Sequence, residues 1–356
     1  MIDIFIIVPL LYRLIPNTAN ALYYPIIQPY LSINAAYKPL CFFPFLYILS
    51  HMTCPICLSK TTRHFASKSK YVFYRCELCK TLLLKELPSQ TKLNLYYEKT
   101  FSYEDGLKNK RIIRKRSSVI LNKIKQLAPQ AHEICDVGSG YGFFLDEAQK
   151  KGYQTLGIEP SKHLSKYASK HFKISTFTGE LNTYKGKQFE VVTCIHVVEH
   201  VINPREFISA LLKLVKPGGV LYIETPNSDS HLLCAEKEHY TFLIPPDHLW
   251  LFSRFSIQIL LPKTSRIIFA NTYSYPEHFM GIMKQLLHKK QQMHTPSQNN
   301  DKAPNTIQKK DPLKRVDYMR KQLSVLLFDR LLAPLFTGLL NLHHKGSILE
   351  LYIKKK

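Results

Sequence analysis

Two stretches of this chain combine residue types and spacing that could do chemistry. The first is Cys54-Pro55-Ile56-Cys57, followed eighteen residues later by Cys76-Glu77-Leu78-Cys79. Each Cys-x-x-Cys pair forms a tight knuckle, and two knuckles offer four thiolates to one tetrahedral ion, for which zinc is the usual occupant. Redox pairs are the alternative reading. A four-thiolate shell leaves no open ligand position, so the metal would be structural and would supply folding free energy on the order of 10 kcal/mol. The second stretch is Glu133-Ile134-Cys135-Asp136-Val137-Gly138-Ser139-Gly140-Tyr141-Gly142-Phe143-Phe144-Leu145. An apolar run ends in three glycines at every second position, and a helical pattern follows. Such glycines allow a sharp turn and close approach of the backbone to a ligand. The helix behind them aims its first N–H groups at whatever binds there. The next apolar run ends in Glu159, about 20 residues beyond the turn, where an acid accepts hydrogen bonds from a ribose diol. A glycine turn in another nucleotide-binding fold is the plainer reading.

Those stretches need a scaffold, and the chain alternates strand and helix patterns that imply a parallel sheet. Strand patterns end at Gly138, at Glu159 and at Thr178, and Phe189 to Ile195 is a fourth. Pro160-Ser161 opens a helix to about His171. Asn203-Pro204 supplies an N-cap and first position for a helix over Arg205–Val215. Lys216-Pro217-Gly218-Gly219 reads as a turn before a fifth strand, Val220 to Glu224. The carboxyl ends of these strands, where ligands gather in such sheets, collect Gly138, Glu159, Glu180, Cys194, His196 and Glu224. His200 follows shortly after and is a candidate general base, because an imidazole near neutral pKa can accept a hydroxyl proton. Capping or packing of its loop is the alternative.

The Asp-x-Gly-x-Gly-x-Gly pattern from Asp136 to Gly142 resembles the class I S-adenosylmethionine (SAM) methyltransferases. Three further strings are similar to one broad methyltransferase group: His196-Val197-Val198-Glu199-His200-Val201-Ile202-Asn203-Pro204, Leu214-Val215-Lys216-Pro217-Gly218-Gly219 and Pro246-Asp247-His248-Leu249-Trp250-Leu251-Phe252-Ser253. That group includes ubiquinone-pathway O-methyltransferases and enzymes of bacterial surface-polysaccharide clusters, the latter often with an N-terminal two-knuckle ribbon. The likeness spans roughly residues 52–275 and resumes at the last strand. It implies that Gly138, Gly140 and Gly142 shape the methionine end of a SAM site, with Asp136 in support. It implies further that Glu159 takes the ribose, Glu180 lies near the adenine, and Cys194 and His196 line the floor. In ubiquinone-type relatives a Glu-x-x-Glu-His string is implicated in divalent-metal binding; here His196 replaces the first acid, leaving Glu199 and His200. The same five residues occur in inverted zinc proteases, but their place after a buried strand in this kind of core opposes that reading.

Charge narrows the partners. The net +23 is uneven: +1 over residues 1–50, +10 over 51–140, +2 over 141–283 and +10 over 284–356. A nearly neutral core between basic flanks fits a small-molecule acceptor better than nucleic acid, which would place cations around the active-site face. Basic flanks also fit loose attraction to membrane, polyanionic glycan or RNA, or a plain solvated surface. Residues 1–51 are apolar and aromatic but broken by prolines. They offer neither a spanning run nor a basic leader, so this doubtful extension suggests a true start at Met52, or else a membrane-associating segment. A polar stretch from His288 to Lys314 reads as disordered. Val316 to Leu342 reads as an apolar helix serving as a lid, a dimer contact or a membrane-surface element.

The expectation is an α/β protein with a Rossmann-like mixed seven-stranded sheet and helices on both faces. A zinc ribbon (52–87) and a helical lead-in (88–130) precede a SAM-binding core (131–283). A disordered and helical insertion (284–345) separates that core from the final strand (346–356). The expected activity is methyl transfer from SAM to a sugar or sugar nucleotide of surface-glycan synthesis, in a cytoplasmic enzyme with a membrane-peripheral location as the alternative. The expected catalytic residues are His200 and Glu199. A ribosomal-RNA methyltransferase and a non-catalytic SAM-fold module are the other readings.

Overall fold

The computed structural model describes residues 52–100, 107, 110–274 and 341–356. The readings of residues 1–51, of the insertion up to residue 340, and of the helix over 316–342 up to the same residue lie outside these. Among the described residues no helix is long and apolar enough to cross a membrane.

The ribbon opens the described chain. Strands β1 (Thr62–Lys68), β2 (Tyr71–Cys76) and β3 (Leu82–Leu84) pair antiparallel. Each knuckle closes with the same bond: Leu58 N–H donates to the Cys54 carbonyl and Lys80 N–H to that of Cys76, at 2.8 and 2.9 Å. Leu58 and Lys80 have matching left-handed φ of 61° and 60°, so the two turns are near copies. The sheet does not stop at the expected boundary near residue 87. Its fourth strand is β9 (Trp250–Leu251), which pairs antiparallel with β3, Leu83 opposite Trp250. One buried apolar cluster runs from Cys54, Phe73 and Leu82 through Trp250 to Val192 and Leu211. The ribbon is therefore welded to the core and is not a separately packed unit.

Helices α1 (Gln90–Thr100) and α2 (Lys110–Leu127) lead into the core. The core alternates β4 (Glu133–Val137), α3 (Phe143–Lys150), β5 (Gln154–Glu159), α4 (Lys162–Phe172), β6 (Ser175–Thr178), β7 (Phe189–Ile195), α5 (Pro204–Leu214) and β8 (Val215–Pro226). Short helices α6 (His231–Glu236) and α7 (Arg254–Leu260) follow, then β10 (Ser265–Tyr273) and β11 (Ile348–Lys355). The seven-stranded order is β10-β11-β8-β7-β4-β5-β6. The pairs from β8 to β6 are parallel, while β11 is antiparallel to both β8 and β10. This is the expected mixed seven-stranded Rossmann-like sheet, with the parallel part where strands and helices alternate.

Strand alternation sends Cys135, Val192 and Cys194 to one face, with α5 and α7, and Ile134, Val191 and Val220 to the other, with α2 and α3. The helix starts follow local chemistry. Ser161 caps α4 through Leu164 N–H. Asn203 caps α5 ahead of Pro204. Ser253 and Ser256 form a capping box on α7. One expected break is absent, because β8 runs straight through Lys216-Pro217-Gly218-Gly219. Phe189 pairs with Val215 but Val191 with Val220, so the extra residues bulge out of the ladder. Gly218, at φ 73°, supplies the left-handed backbone that this requires.

A buried ionic cluster clamps α2 to the sheet. Arg116 donates from Nη2 to Glu224 Oε2 at 2.9 Å and also meets Glu350. Its guanidinium lies 3.9 Å from the Tyr273 ring centroid. Both carboxylates are almost fully buried. Arg116→Met would leave Glu350 without its cation and Glu224 with His196 alone. It should lower unfolding free energy by roughly 3–5 kcal/mol, read by urea denaturation; a change below about 1 kcal/mol would show that the cluster is not what holds α2.

Candidate active site and metal centre

The glycine turn lies at the carboxyl end of β4. Gly138, Gly140 and Gly142 all have left-handed φ, at 77°, 53° and 79°. A Cβ on Gly138 would come within 2.4 Å of Val197 Cγ2, and one on Gly142 within 2.9 Å of Ala168 Cβ, so both are packing glycines. A Cβ on Gly140 would meet nothing within 4 Å; this is the open cradle of the loop. Ser139 Oγ is buried beside it, without a hydrogen-bond partner among the described residues. Glu159 sits at the end of β5 and reaches back, accepting from Gly140 N–H at 2.9 Å and from Ser161 N–H at 2.8 Å. Burial raises its pKa, partly offset by those two bonds. Asp136 is buried under the turn and accepts from Thr193 Oγ1 at 2.6 Å. Burial pushes its pKa up to about 7. These residues fit a nucleoside ligand: an open glycine cradle, an orphaned hydroxyl and a carboxylate with lone pairs to spare.

Other expected cofactor residues are placed differently. Glu180 is exposed and makes no side-chain cap on the turn it opens. Cys194 has no exposed surface and packs in the main apolar cluster with Val137 and Val198, so its thiol belongs to the core and not to a cleft floor. His196 adopts φ 53°, uncommon for a residue with a Cβ. Its ring is wedged between two buried acids, with Nδ1 3.1 Å from Glu199 Oε1 and Nε2 3.5 Å from Glu224 Oε1. Burial would lower the His196 pKa, but the two carboxylates outweigh it and raise it to about 10. The ring is therefore an ion-pair partner rather than a ligand surface.

Glu199 and His200 sit on a 3-10 turn that follows β7. Glu199 is fully buried; its Oε2 accepts from Thr225 Oγ1 at 2.9 Å, and its Oε1 faces His196. Burial would raise its pKa, but His196 reverses this and holds it near 2. His200 Nδ1 lies 3.0 Å from the Asp247 carbonyl and 3.0 Å from Asp247 Oδ1. A carbonyl only accepts, so Nδ1 carries the hydrogen and Nε2 is the basic nitrogen. His248 repeats the arrangement, with Nδ1 donating to the Phe242 carbonyl at 2.6 Å. Burial, then the nearby His200, lower its pKa to about 4. Asp247 and His248 were legible as part of a similar string but carried no assigned role. Their function comes from where the chain after Pro246 folds.

Among the described residues, two clusters could hold metal. Ligand atoms of Glu199, His200 and His248 lie within 4.8 Å of one another, so His248 joins the Glu199 and His200 that the sequence left at this position. Both oxygens of Glu199 already face partners, which favours its ion-pair role. In the ribbon, the sulfurs of Cys54, Cys57, Cys76 and Cys79 also lie within 4.8 Å of one another. Cys54 Sγ is 3.6 Å from Cys79 Sγ, and Cys57 Sγ 3.5 Å from Cys76 Sγ. A zinc tetrahedron with 2.3 Å arms has edges of about 3.8 Å, so the four sulfurs fit that ion.

Residues 112–264 match a family model described as a methyltransferase domain. Among curated proteins, the chain is similar to a ubiquinone biosynthesis O-methyltransferase of Methylococcus capsulatus, at 29% identity over 35% of this chain and 60% of that one. It is also similar to one of Rhizobium rhizogenes, at 32% over 26% of this chain and 41% of that one. The chain thus spans about half the length of the curated relatives it matches. Among solved structures, a SAM-dependent methyltransferase from Archaeoglobus fulgidus is 17% identical and covers 71% of this chain and all of its own, at a TM-score of 0.42.

The ribbon geometry sets an expected stoichiometry. Purified protein should carry one zinc per chain by elemental analysis, and Cys76→Ser should lose it and melt at a lower temperature. Full zinc with unchanged melting in that variant would refute a four-thiolate site.

Proposed function

We propose that this chain, whose residues 112–264 match a methyltransferase domain, is a class I SAM-dependent methyltransferase that methylates a hydroxyl of a small-molecule acceptor. The observation that carries this reading is the meeting of two sets of groups at one sheet edge. The open glycine cradle with Glu159 ends β4 and β5. The adjacent strand β7 runs into the turn that carries Glu199 and His200. Gly138 abuts Val197, which begins that turn, so ligand cradle and candidate base are neighbours. A sugar or sugar nucleotide of surface-glycan synthesis is the favoured acceptor class. Its support is the pairing of a two-knuckle ribbon with this kind of core, together with the near-neutral charge of the core.

SAM, when bound, supplies an electrophilic methyl group that leaves its sulfonium by in-line displacement. The protein contributes position and proton handling. The Gly138–Gly142 loop admits the ligand closely, and Glu159 accepts from the ribose hydroxyls. Asp247 holds His200 in the tautomer whose Nε2 is free, so that nitrogen takes the acceptor hydroxyl proton as the new O–C bond forms. Glu199, kept ionised by His196, stabilises the resulting imidazolium. His200 and Glu199 are the proposed catalytic residues.

The test separates cofactor from chemistry. Glu159→Ala should raise the SAM dissociation constant about 10- to 100-fold by calorimetry, since each charge-assisted bond contributes roughly 1.5–3 kcal/mol. Gly140→Val should abolish binding. His200→Ala should leave SAM affinity within about twofold yet lower turnover by about 100-fold or more. Asp247 raises the His200 pKa once burial is overcome, and the base works deprotonated. Asp247→Asn should therefore move the acidic limb of the kcat/KM profile to lower pH. Unchanged SAM affinity in Glu159→Ala would remove the cofactor assignment. Labelled methyl appearing only in RNA, with binding that falls steeply with salt, would remove the small-molecule acceptor.

A further inference from the structure

We propose that the cysteine ribbon is the brace of the acceptor side of the active site, and that the metal it holds fixes residues 247–253 in the pose that brings Asp247 to His200 and His248 to Glu199. The catalytic consequence rests on the methyltransferase reading above; the structural coupling does not.

Hydrogen bonds trace the brace step by step. The second knuckle ends at Cys79, and Thr81 follows it, with its Oγ1 3.1 Å from Cys79 Sγ. Thr81 also accepts from Cys76 N–H at 2.9 Å, closing the knuckle onto the start of β3. Strand β3 pairs with β9, and Leu84 N–H donates to the Leu249 carbonyl at 2.9 Å. Ser253 Oγ, buried, donates to the Cys79 carbonyl at 2.7 Å. The segment between those anchors then grips the catalytic turn. Leu249 N–H donates to the Glu199 carbonyl at 2.9 Å, and Trp250 Nε1–H to the Val201 carbonyl at 2.8 Å. Asp247 reaches His200 as described. The first knuckle holds the far side of the same turn, because Arg205, in the first turn of α5, donates from Nη2 to the Ile56 carbonyl at 2.7 Å. Both knuckles thus bracket the stretch from Glu199 to Arg205.

Among the described residues, the cofactor side draws its backbone bonds from β5 and from its own turn. The Gly138–Gly142 turn bonds to Ile158 and within itself, and Glu159 bonds to Gly140 and Ser161. Four thiols without a metal lose the cross-link between the knuckles, and β3 loses its fixed starting point. Residues such as Ser253 and Leu83 are then positioning residues that act through Asp247 and His248, not groups that touch the substrate.

The chain contains a single tryptophan, Trp250, 2% exposed in β9, so its emission reports on the brace. Zinc is stripped from the full chain with a chelator, and SAM binding, Trp250 emission and turnover are each measured. Expected are a shift of the emission to longer wavelength, a SAM dissociation constant within about twofold of the zinc form, and a turnover loss of about 100-fold. Restoring zinc should reverse both changes. Amide exchange at Leu249 and Leu84 should quicken in the stripped protein. Unchanged emission and exchange after zinc loss would overturn the proposal, since the ribbon would then not hold β9. Loss of SAM affinity in parallel with the emission shift would also overturn it, since the ribbon would then be a requirement of the whole fold. Cys79→Ser provides the same readings without a chelator. The emission and exchange measurements need no turnover, so they stand or fall independently of the methyl-transfer assignment.

Discussion

A buried carboxylate with partners on both sides, Glu224, is the constraint on which this arrangement depends. Its Oε2 takes Arg116 from α2 and the Tyr222 hydroxyl; its Oε1 faces His196. A lone charge at 2% exposure would be neutralised by a shifted pKa or would destabilise the fold. Here Arg116 and His196 hold the Glu224 pKa near 2 despite burial. The requirement propagates outward. It anchors α2 across the sheet and draws β11 in through Glu350. It also turns His196 into the left-handed backbone from which its ring reaches both acids. With His196 so engaged, Glu199 is kept ionised at the foot of the site. The acid–base groups are thus set by a chain of paired charges that begins two strands away from them.

The residues of the proposed cofactor half stand out in the sequence, and the reason is locality. The three glycines, Glu159 and the four cysteines lie in short strings whose spacing is itself the geometric requirement. Strand and helix periodicity likewise pointed to the parallel part of the sheet, from β4 to β8. What stayed hidden depends on contacts distant in sequence. Trp250 and Leu251 form a two-residue strand, too short for any alternation to register, and their partners Leu83 and Leu82 lie 167 and 169 residues upstream. Asp247 becomes relevant only because that pairing delivers it to His200. Cys194 ends a strand near the ligand edge, yet its pleat faces the core. The Gly218-Gly219 turn signal was real in backbone terms, but neighbouring strands absorbed it as a bulge.

The two halves of the site also differ in how their geometry is maintained. The glycine loop is self-contained and backed by β4 and β5. The acceptor half is assembled from β7, the segment leading to β9 and the ribbon, and no one of these fixes it alone. Under the proposed function, change in acceptor preference would come through the ribbon and residues 240–253 while the glycine loop is left untouched. The +2 charge of the core against its basic neighbours matches such a division.

The borrowed fourth strand also has a consequence for biogenesis. When β1 to β3 leave the ribosome, β9 is still some 170 residues from synthesis. At usual elongation rates that is a wait of roughly 10–30 s. Throughout it, Leu82-Leu83-Leu84 presents an unpaired apolar edge of the kind that invites strand addition by other chains.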